Sequence, residues 1–204
     1  MSVYDKLESI HLEAMKEIGN IGTGNAATAL STMMNKKVEI TVPNVSVVEI
    51  SKIPFMFQDP EKVTVGIQMS FFEDLNGQLL LLFDAEPAKQ ILQLLIGQGS
   101  DDLTQMDEMQ TSVFSELGNI VCGSYLVSLS QFTNLNLNSE VPQVTFDMVS
   151  AIVAETCLTY AEEEDKSIVI ETEFEIESQM NVEAYLFQIM EPNSVPKLLT
   201  SIGM

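Results

Sequence analysis

A five-residue phrase occurs twice in this chain, as Glu17-Ile18-Gly19-Asn20-Ile21 and as Glu116-Leu117-Gly118-Asn119-Ile120, with 99 positions between the copies. Gly24 and Gly123 keep the same spacing, and so do Pro43 and Pro142. Self-similarity at one long offset constrains the fold more than any composition does, because it requires two similar halves. The expected organisation is a single domain over 1–204, made of one repeat over about 1–100 and a second over about 101–204. A bare Glu-x-x-Asn is not the signal, since Glu73-Asp74-Leu75-Asn76 matches it without the following Gly, the distant Pro or a copy one repeat away. The specific object is Glu-[Ile/Leu]-Gly-Asn-Ile-x-x-Gly with a Pro 23 residues after the Asn.

Thirty acidic residues against nine Lys and Arg give a formal charge of −21. That field repels phosphate backbones and anionic membrane surfaces, which argues against nucleic-acid binding. With 46% apolar and 19% charged residues the chain is globular. A chain of this length buries about 70% of its unfolded surface and needs no disulfide or metal to fold. Cys122 and Cys157 are too few for a disulfide framework and read as reduced core thiols, so the expected compartment is the cytoplasm. Asp5, Lys6 and Glu8 stand where a secretory leader would need an apolar run. Ile18 to Asn35 and Leu117 to Ser139 carry no charge and are long enough to span a membrane, but their Asn, Gln, Ser, Thr and Gly content forbids insertion. Each copy of the motif is expected instead to open a helix largely surrounded by protein.

Residues 3–34 have apolar positions at helical spacing, with Gly19, Gly22 and Gly24 admitting a kink or break. Val38 to Val42 and Val45 to Val48 read as a strand bent at Pro43-Asn44. Val63 to Ser70 and Gln78 to Phe83 are two more strands, and Glu86 to Ile96 is a helix that stops at Gly97. After a boundary at Gln98 to Asp102 the order repeats. A long helix is expected over 106–131, and strands over Val144 to Ala154, Ile168 to Glu177 and Glu183 to Met190. The acidic run Glu162 to Asp165 is expected as a solvated turn, and a closing helix runs from about Ser194 to Ile202-Gly203. Two helix–strands–helix halves with mainly antiparallel strands make an α+β fold.

On a helix, positions i, i+3 and i+7 share a face, so Glu17, Asn20 and Gly24 form one stripe and Glu116, Asn119 and Gly123 another. Glu13 and Ser112 extend them by one turn. Each stripe offers a carboxylate for a partner cation, a carboxamide that both donates and accepts, and a residue with no side chain where another backbone can approach. The alternative is structural: both Asn residues would satisfy backbone groups and the glycines would only permit close helix packing. Other sites compete poorly. Gly22-Thr23-Gly24-Asn25-Ala26-Ala27 fits a dinucleotide fingerprint but follows a helix where a strand is required. His11, the one histidine, has no ligand set at metal spacing and reads as a surface or helix-face residue. Cys122 has Thr23 as its counterpart, which argues against a nucleophile, and Asn44-Val45-Ser46 is a glycosylation sequon by pattern only. The twelve methionines read as core filler or as an interaction surface.

The duplicated motif, its Pro spacing and the phrase Glu17-Ile-Gly-Asn-Ile-Gly-Thr-Gly-Asn-Ala-Ala27 resemble the CheC branch of the CheC/CheX/FliY chemotaxis phosphatases, over essentially the whole chain. The family pattern is [Asp/Ser]-x-x-x-Glu-x-x-Asn with a distant Pro. Ser112, Glu116, Asn119 and Pro142 match it fully, and the first copy departs only at Glu13. The resemblance implies a pseudo-twofold domain with both motif helices on one side of the sheet, and hydrolysis of the aspartyl phosphate on the response regulator CheY. Glu17 and Glu116 would pair with the regulator's lysine, and Asn20 and Asn119 would orient the attacking water. The Mg²⁺ would come with phosphorylated CheY, leaving no cofactor of the protein's own. The resemblance also implies the receptor deamidase CheD as a partner, contacted in the Phe146-Asp147-Met148 segment with Asp147 as the leading residue; the other reading of Asp147 is an exposed strand residue. The rival classes are a non-catalytic component of the flagellar switch, whose FliY-type chains continue into a further domain where this sequence ends at Met204, and an adaptor that only docks CheY or CheD.

Overall fold

The computed structural model describes Tyr4 and residues 7–57, 59–97, 102–160, 166–177 and 180–203, with only the backbone described at 157–160 and 180. The first long amphipathic segment winds α1 (Ser9–Met34), which begins later than the predicted residue 3 and runs unbroken through its three glycines. Its start is fixed by Glu8, whose backbone N–H donates to His11 Nδ1 at 2.8 Å. At its end Asn35 adopts a left-handed conformation at φ 50°, which Asn tolerates because its short side chain bonds locally. Next come β1 (Val38–Thr41), β2 (Val45–Glu49), a 3₁₀ helix (Ile50–Met56), β3 (Val63–Glu73), β4 (Gly77–Asp84) and α2 (Ala85–Ile96). The second series follows in the same order: α3 (Glu108–Thr133), β5 (Leu137–Ser139), β6 (Gln143–Met148), α4 (Val149–Tyr160), β7 (Lys166–Ile176), β8 (Met180–Met190) and α5 (Ser194–Ser201). Like α1, α3 ends on a left-handed Asn, Asn134 at φ 57°.

The strands make one eight-stranded antiparallel sheet with the order β1-β7-β8-β4-β3-β5, in which β2 also pairs with β7 and β6 with β3. The order reads the same from either end when each element is exchanged for its counterpart in the other series. Residues of β3, β4, β7 and β8 that alternate toward one face, such as Ile67, Leu81, Ile170 and Leu186, share a core with Met15, Ile18 and Leu30 of α1 and Phe114 and Leu129 of α3. Both motif helices therefore lie on one side of the sheet, packed against each other and joined there by α2 and α5. The opposite face, Leu80, Leu82, Val169, Phe187 and Ile189, is covered by the 3₁₀ helix and α4. A strand buried on both faces needs no alternation, which is why Leu79 to Phe83 is an unbroken apolar run.

One predicted element is corrected. Val144 to Ala154 does not continue as a strand; it ends at Met148 and turns into α4. The buried positions Val149, Ile152, Val153 and Thr156 recur at helical spacing. The helix seats where Gly66 of β3 has no side chain, since a Cβ there would lie 2.9 Å from Ile152 Cγ2. The predicted turn at Glu162 to Asp165, the boundary at 98–101 and the Cys157 side chain lie outside the described residues.

Candidate functional site

The edge strands break at the two prolines. On the β7 ladder Thr41 pairs with Glu173 and Val45 with Ile170, so residues 42–44 span two positions of the partner. On the β3 ladder Ser139 pairs with Phe71 and Gln143 with Gln68, so residues 140–142 do the same. Proline has no N–H for a ladder and is tolerated at such an edge bulge. Each bulge lies against its motif helix. A Cβ on Gly118 would collide with the Ile67 side chain of β3 and lie 3.4 Å from Cβ of the buried Pro142, and a Cβ on Gly19 would lie 3.2 Å from Val42 Cγ2. Gly19 thus lets the first bulge approach α1, and Gly118 lets α3 settle on Ile67 of β3 beside the second bulge.

Glu13, Glu17, Asn20 and Gly24 are all exposed on α1. On α3, Ser112, Glu116 and Asn119 are exposed and Gly123 is half-buried. Among the described residues a Cβ added at Gly24 or at Gly123 would meet nothing within 4 Å, so neither glycine is explained by packing against them. The expectation that these helices are largely surrounded by protein is corrected: Asn20, Ile21, Gly24, Asn25, Thr28 and Thr32 leave one face of α1 open to solvent without any charge. Uncharged polar and small side chains solvate that face, and the Thr28 and Thr32 hydroxyls donate back to Gly24 O and Thr28 O.

The two stripes are alike in placement and unlike in bonding. Asn20 Oδ1 accepts the Val42 N–H at 3.2 Å, and because that donor requires an oxygen, the Nδ2 group points away from the bulge. Lys16 Nζ donates to Pro43 O at 2.6 Å beside it. In the second copy Ser115 replaces Lys16, the Asn119 carboxamide has no bonding partner among the described residues, and Val141 is 76% exposed where its counterpart Val42 is 2% exposed. Ser112 turns its hydroxyl inward to Glu108 O at 2.7 Å. The structural alternative for the Asn residues therefore holds in half for Asn20 and not for Asn119.

Other predicted residues fall elsewhere. His11 is buried, not a surface residue, and serves the start of α1. Cys122 is buried in the core, where desolvation pushes its thiol up to about 12, far from the range of a nucleophile at neutral pH. Next to it, burial raises the Tyr125 hydroxyl well above its usual range, and that hydroxyl donates to Gln188 Oε1 at 2.7 Å. Asp147 is exposed near the end of β6, accepting the Met148 N–H at 2.7 Å. Val144 and Phe146 face the core shared with α1 and α3, so strand alternation sends Asp147 to the opposite face of the sheet. Sequence reasoning missed Lys16, the Asn20–Val42 bond and the exposure of Val141, none of which has a local signal.

Two family models match the chain, a CheC-like family over residues 10–47 and "Chemotaxis phosphatase CheX" over residues 65–173. The chain is 29% identical to the CheY-P phosphatase CheC of Bacillus subtilis, over all of this chain and 99% of that one. It is 36% identical to the flagellar motor switch phosphatase FliY of the same organism over 69% of this chain, a match that covers 36% of that longer protein. The crystal structure of Thermotoga maritima FliY superposes with a TM-score of 0.79 at 26% identity, covering 97% of this chain and 98% of that one. FliM middle domains share the fold at lower identity, the Helicobacter pylori one with a TM-score of 0.68 at 14% over 96% of this chain and 99% of that one.

Proposed function

The chain belongs to the family of CheC-like and CheX chemotaxis phosphatases, and from that membership we propose that it hydrolyses the aspartyl phosphate of a phosphorylated CheY-type response regulator. The observation that carries this reading is the exposure of Glu17 with Asn20 and of Glu116 with Asn119, each pair on one helix face beside a glycine open to solvent. The regulator contributes its phosphoaspartate, its Mg²⁺ and a lysine, and the phosphatase contributes position. Glu17 or Glu116 pairs with the lysine and fixes the helix over the phosphoryl group. Asn20 or Asn119, one turn further along, enters the site and holds a water in line with the P–O bond to the aspartate. Water oxygen bonds to phosphorus as that P–O bond breaks, releasing the aspartate carboxylate and inorganic phosphate, with the proton passing to phosphate or solvent. No general base is required of the Asn, whose amide does what a water-orienting Gln does in GTPases. Correct orientation of an attacking group reaches effective molarities of about 10⁵ M or more, enough for this division of labour. Glu13 and Ser112 extend the stripes by one turn, Pro142 is buried beneath α3, and the exposed Pro43 holds Lys16 through its carbonyl oxygen. The test is phosphate release from phosphorylated CheY: a regulator that loses its phosphate no faster with the protein than without it would leave an adaptor or switch component instead.

The two-repeat organisation belongs to the same proposal, supported by the recurring element order and the palindromic strand order. So does CheD as a second partner, contacted through Asp147. Because Asp147 and the motif stripes lie on opposite sides of the sheet, Asp147→Lys is expected to weaken CheD binding at least severalfold in a titration while the phosphate-release rate without CheD stays within twofold. Loss of both with an unchanged melting temperature would show that the two surfaces are one.

A further inference from the structure

The heads of the two motif helices carry a second duplicated feature. Ile10 is 69% exposed and Met109 is 62% exposed, and these large apolar side chains stand 99 positions apart, like the motifs themselves. Each occupies the second position of its helix. Ile10 precedes Glu13, Glu17 and Asn20 by three, seven and ten residues, and Met109 precedes Ser112, Glu116 and Asn119 by the same steps, so each is the first member of its stripe. Neither is needed by the core, which takes Met15 and Ile18 from α1 and Phe114 and Leu117 from α3. A lone exposed apolar residue requires no explanation, but two at equivalent positions at the heads of two polar stripes do.

We infer that Ile10 and Met109 are the apolar anchors on which the phosphorylated regulator seats, one for each site. This rests on the proposed phosphatase reading, because the occupant is the protein whose phosphoryl group the Asn reaches. Continuity with the stripe identifies the occupant. At a rise of about 1.5 Å per residue, the anchor lies about 10 Å along the helix from the Glu and about 15 Å from the Asn. A receiver engaged at lysine and phosphate therefore covers the anchor with surface about 15 Å from its phosphoaspartate, and that surface has to be apolar. Charge alone would not hold such a complex, since a protein with a net charge of −21 meets an acidic phosphorylated face with repulsion that the single Glu–lysine contact at each site offsets only locally. Desolvated apolar anchors are where binding energy concentrates in interfaces of this kind.

The experiment uses the full chain as Ile10→Ser, Met109→Ser and the double variant, with Phe55→Ser, a 76% exposed residue of the 3₁₀ helix, as control. Binding to a CheY receiver carrying beryllofluoride in place of the phosphoryl group is measured calorimetrically, and phosphate release is measured alongside. The double variant is expected to bind at least tenfold more weakly and to raise KM by a similar factor, with kcat and melting temperature unchanged and the control unaffected. In an Asn119→Ala background Ile10→Ser should raise KM and Met109→Ser should not, with the reverse in Asn20→Ala. Binding of the double variant within twofold of the unsubstituted protein overturns the anchors and leaves the phosphatase reading intact. Weakened binding together with an unsubstituted protein that releases no phosphate overturns the reaction and keeps the docking face. A protein that does not bind the loaded receiver at all overturns both.

Discussion

Replacing Asn20 and Asn119 together with alanine is expected to lower phosphate release from phosphorylated CheY by about 100-fold or more, the scale of losing orientation at a reacting centre. Either single variant should retain part of the activity, because the other helix still presents a complete Glu and Asn pair. The two singles are not expected to be equal. Asn20 Oδ1 accepts the Val42 N–H, so Asn20→Ala leaves a backbone donor without its partner and should cost about 1 kcal/mol of stability. Asn119 has no such bond, and Asn119→Ala should melt within about 0.5 kcal/mol of the unsubstituted protein, as exposed substitutions do. The second site, with Ser112 in place of the anionic Glu13 and with its carboxamide unengaged, should retain at least as much activity alone as the first. Single-turnover phosphate release and thermal melts of the three variants test this. A folded double variant with full activity would remove the water-orienting role, and complete loss from either single would show that the sites act as one.

Gly22→Val should strongly destabilise the pairing of the two motif helices. A Cβ at Gly22 would lie 2.9 Å from Tyr125 Cα, 3.2 Å from Ser124 O and 3.3 Å from Tyr125 N. All three are backbone atoms of α3, so no rotamer change relieves the contact and the two helices have to part. Overpacking of this kind costs about 1–3 kcal/mol or more. For a domain of this size that corresponds to a fall of roughly 2–12 °C in melting temperature. Since α1 and α3 carry one stripe each, both sites should lose register together, and phosphate release should fall even below the melting transition. A variant that melts normally would mean that the helices tolerate separation at their crossing. Gly24→Ala and Gly123→Ala make the contrast: with nothing among the described residues within 4 Å of either added Cβ, they should hold or raise stability, by up to about 1 kcal/mol as Ala replaces Gly inside a helix, and act otherwise only on a docked partner.

The sequence by itself determined what depends on local geometry. Helical spacing placed Glu17 with Asn20 and Glu116 with Asn119 on shared faces, because three residues on an α-helix is one turn whatever surrounds it. Alternation and proline placed the bent edge strands, and Gly97, at φ 68°, marked the end of α2. The antiparallel α+β class followed from the order of these elements. What only the tertiary structure decided depends on partners distant in the chain. Val149 to Tyr160 is a helix because an apolar sheet face with a gap at Gly66 lies over it, and a short apolar run carries no record of that face. The charge-free segments of α1 and α3 keep an open side because the sheet covers only one face of each. Val42 is tucked beneath α1 and bonded to Asn20, whereas Val141 stands exposed beside an unbonded Asn119. Two stretches of nearly the same sequence thus hold their carboxamides differently, because a hydrogen bond across 22 residues is set by where the bulge comes to rest against the helix, and no periodicity encodes that.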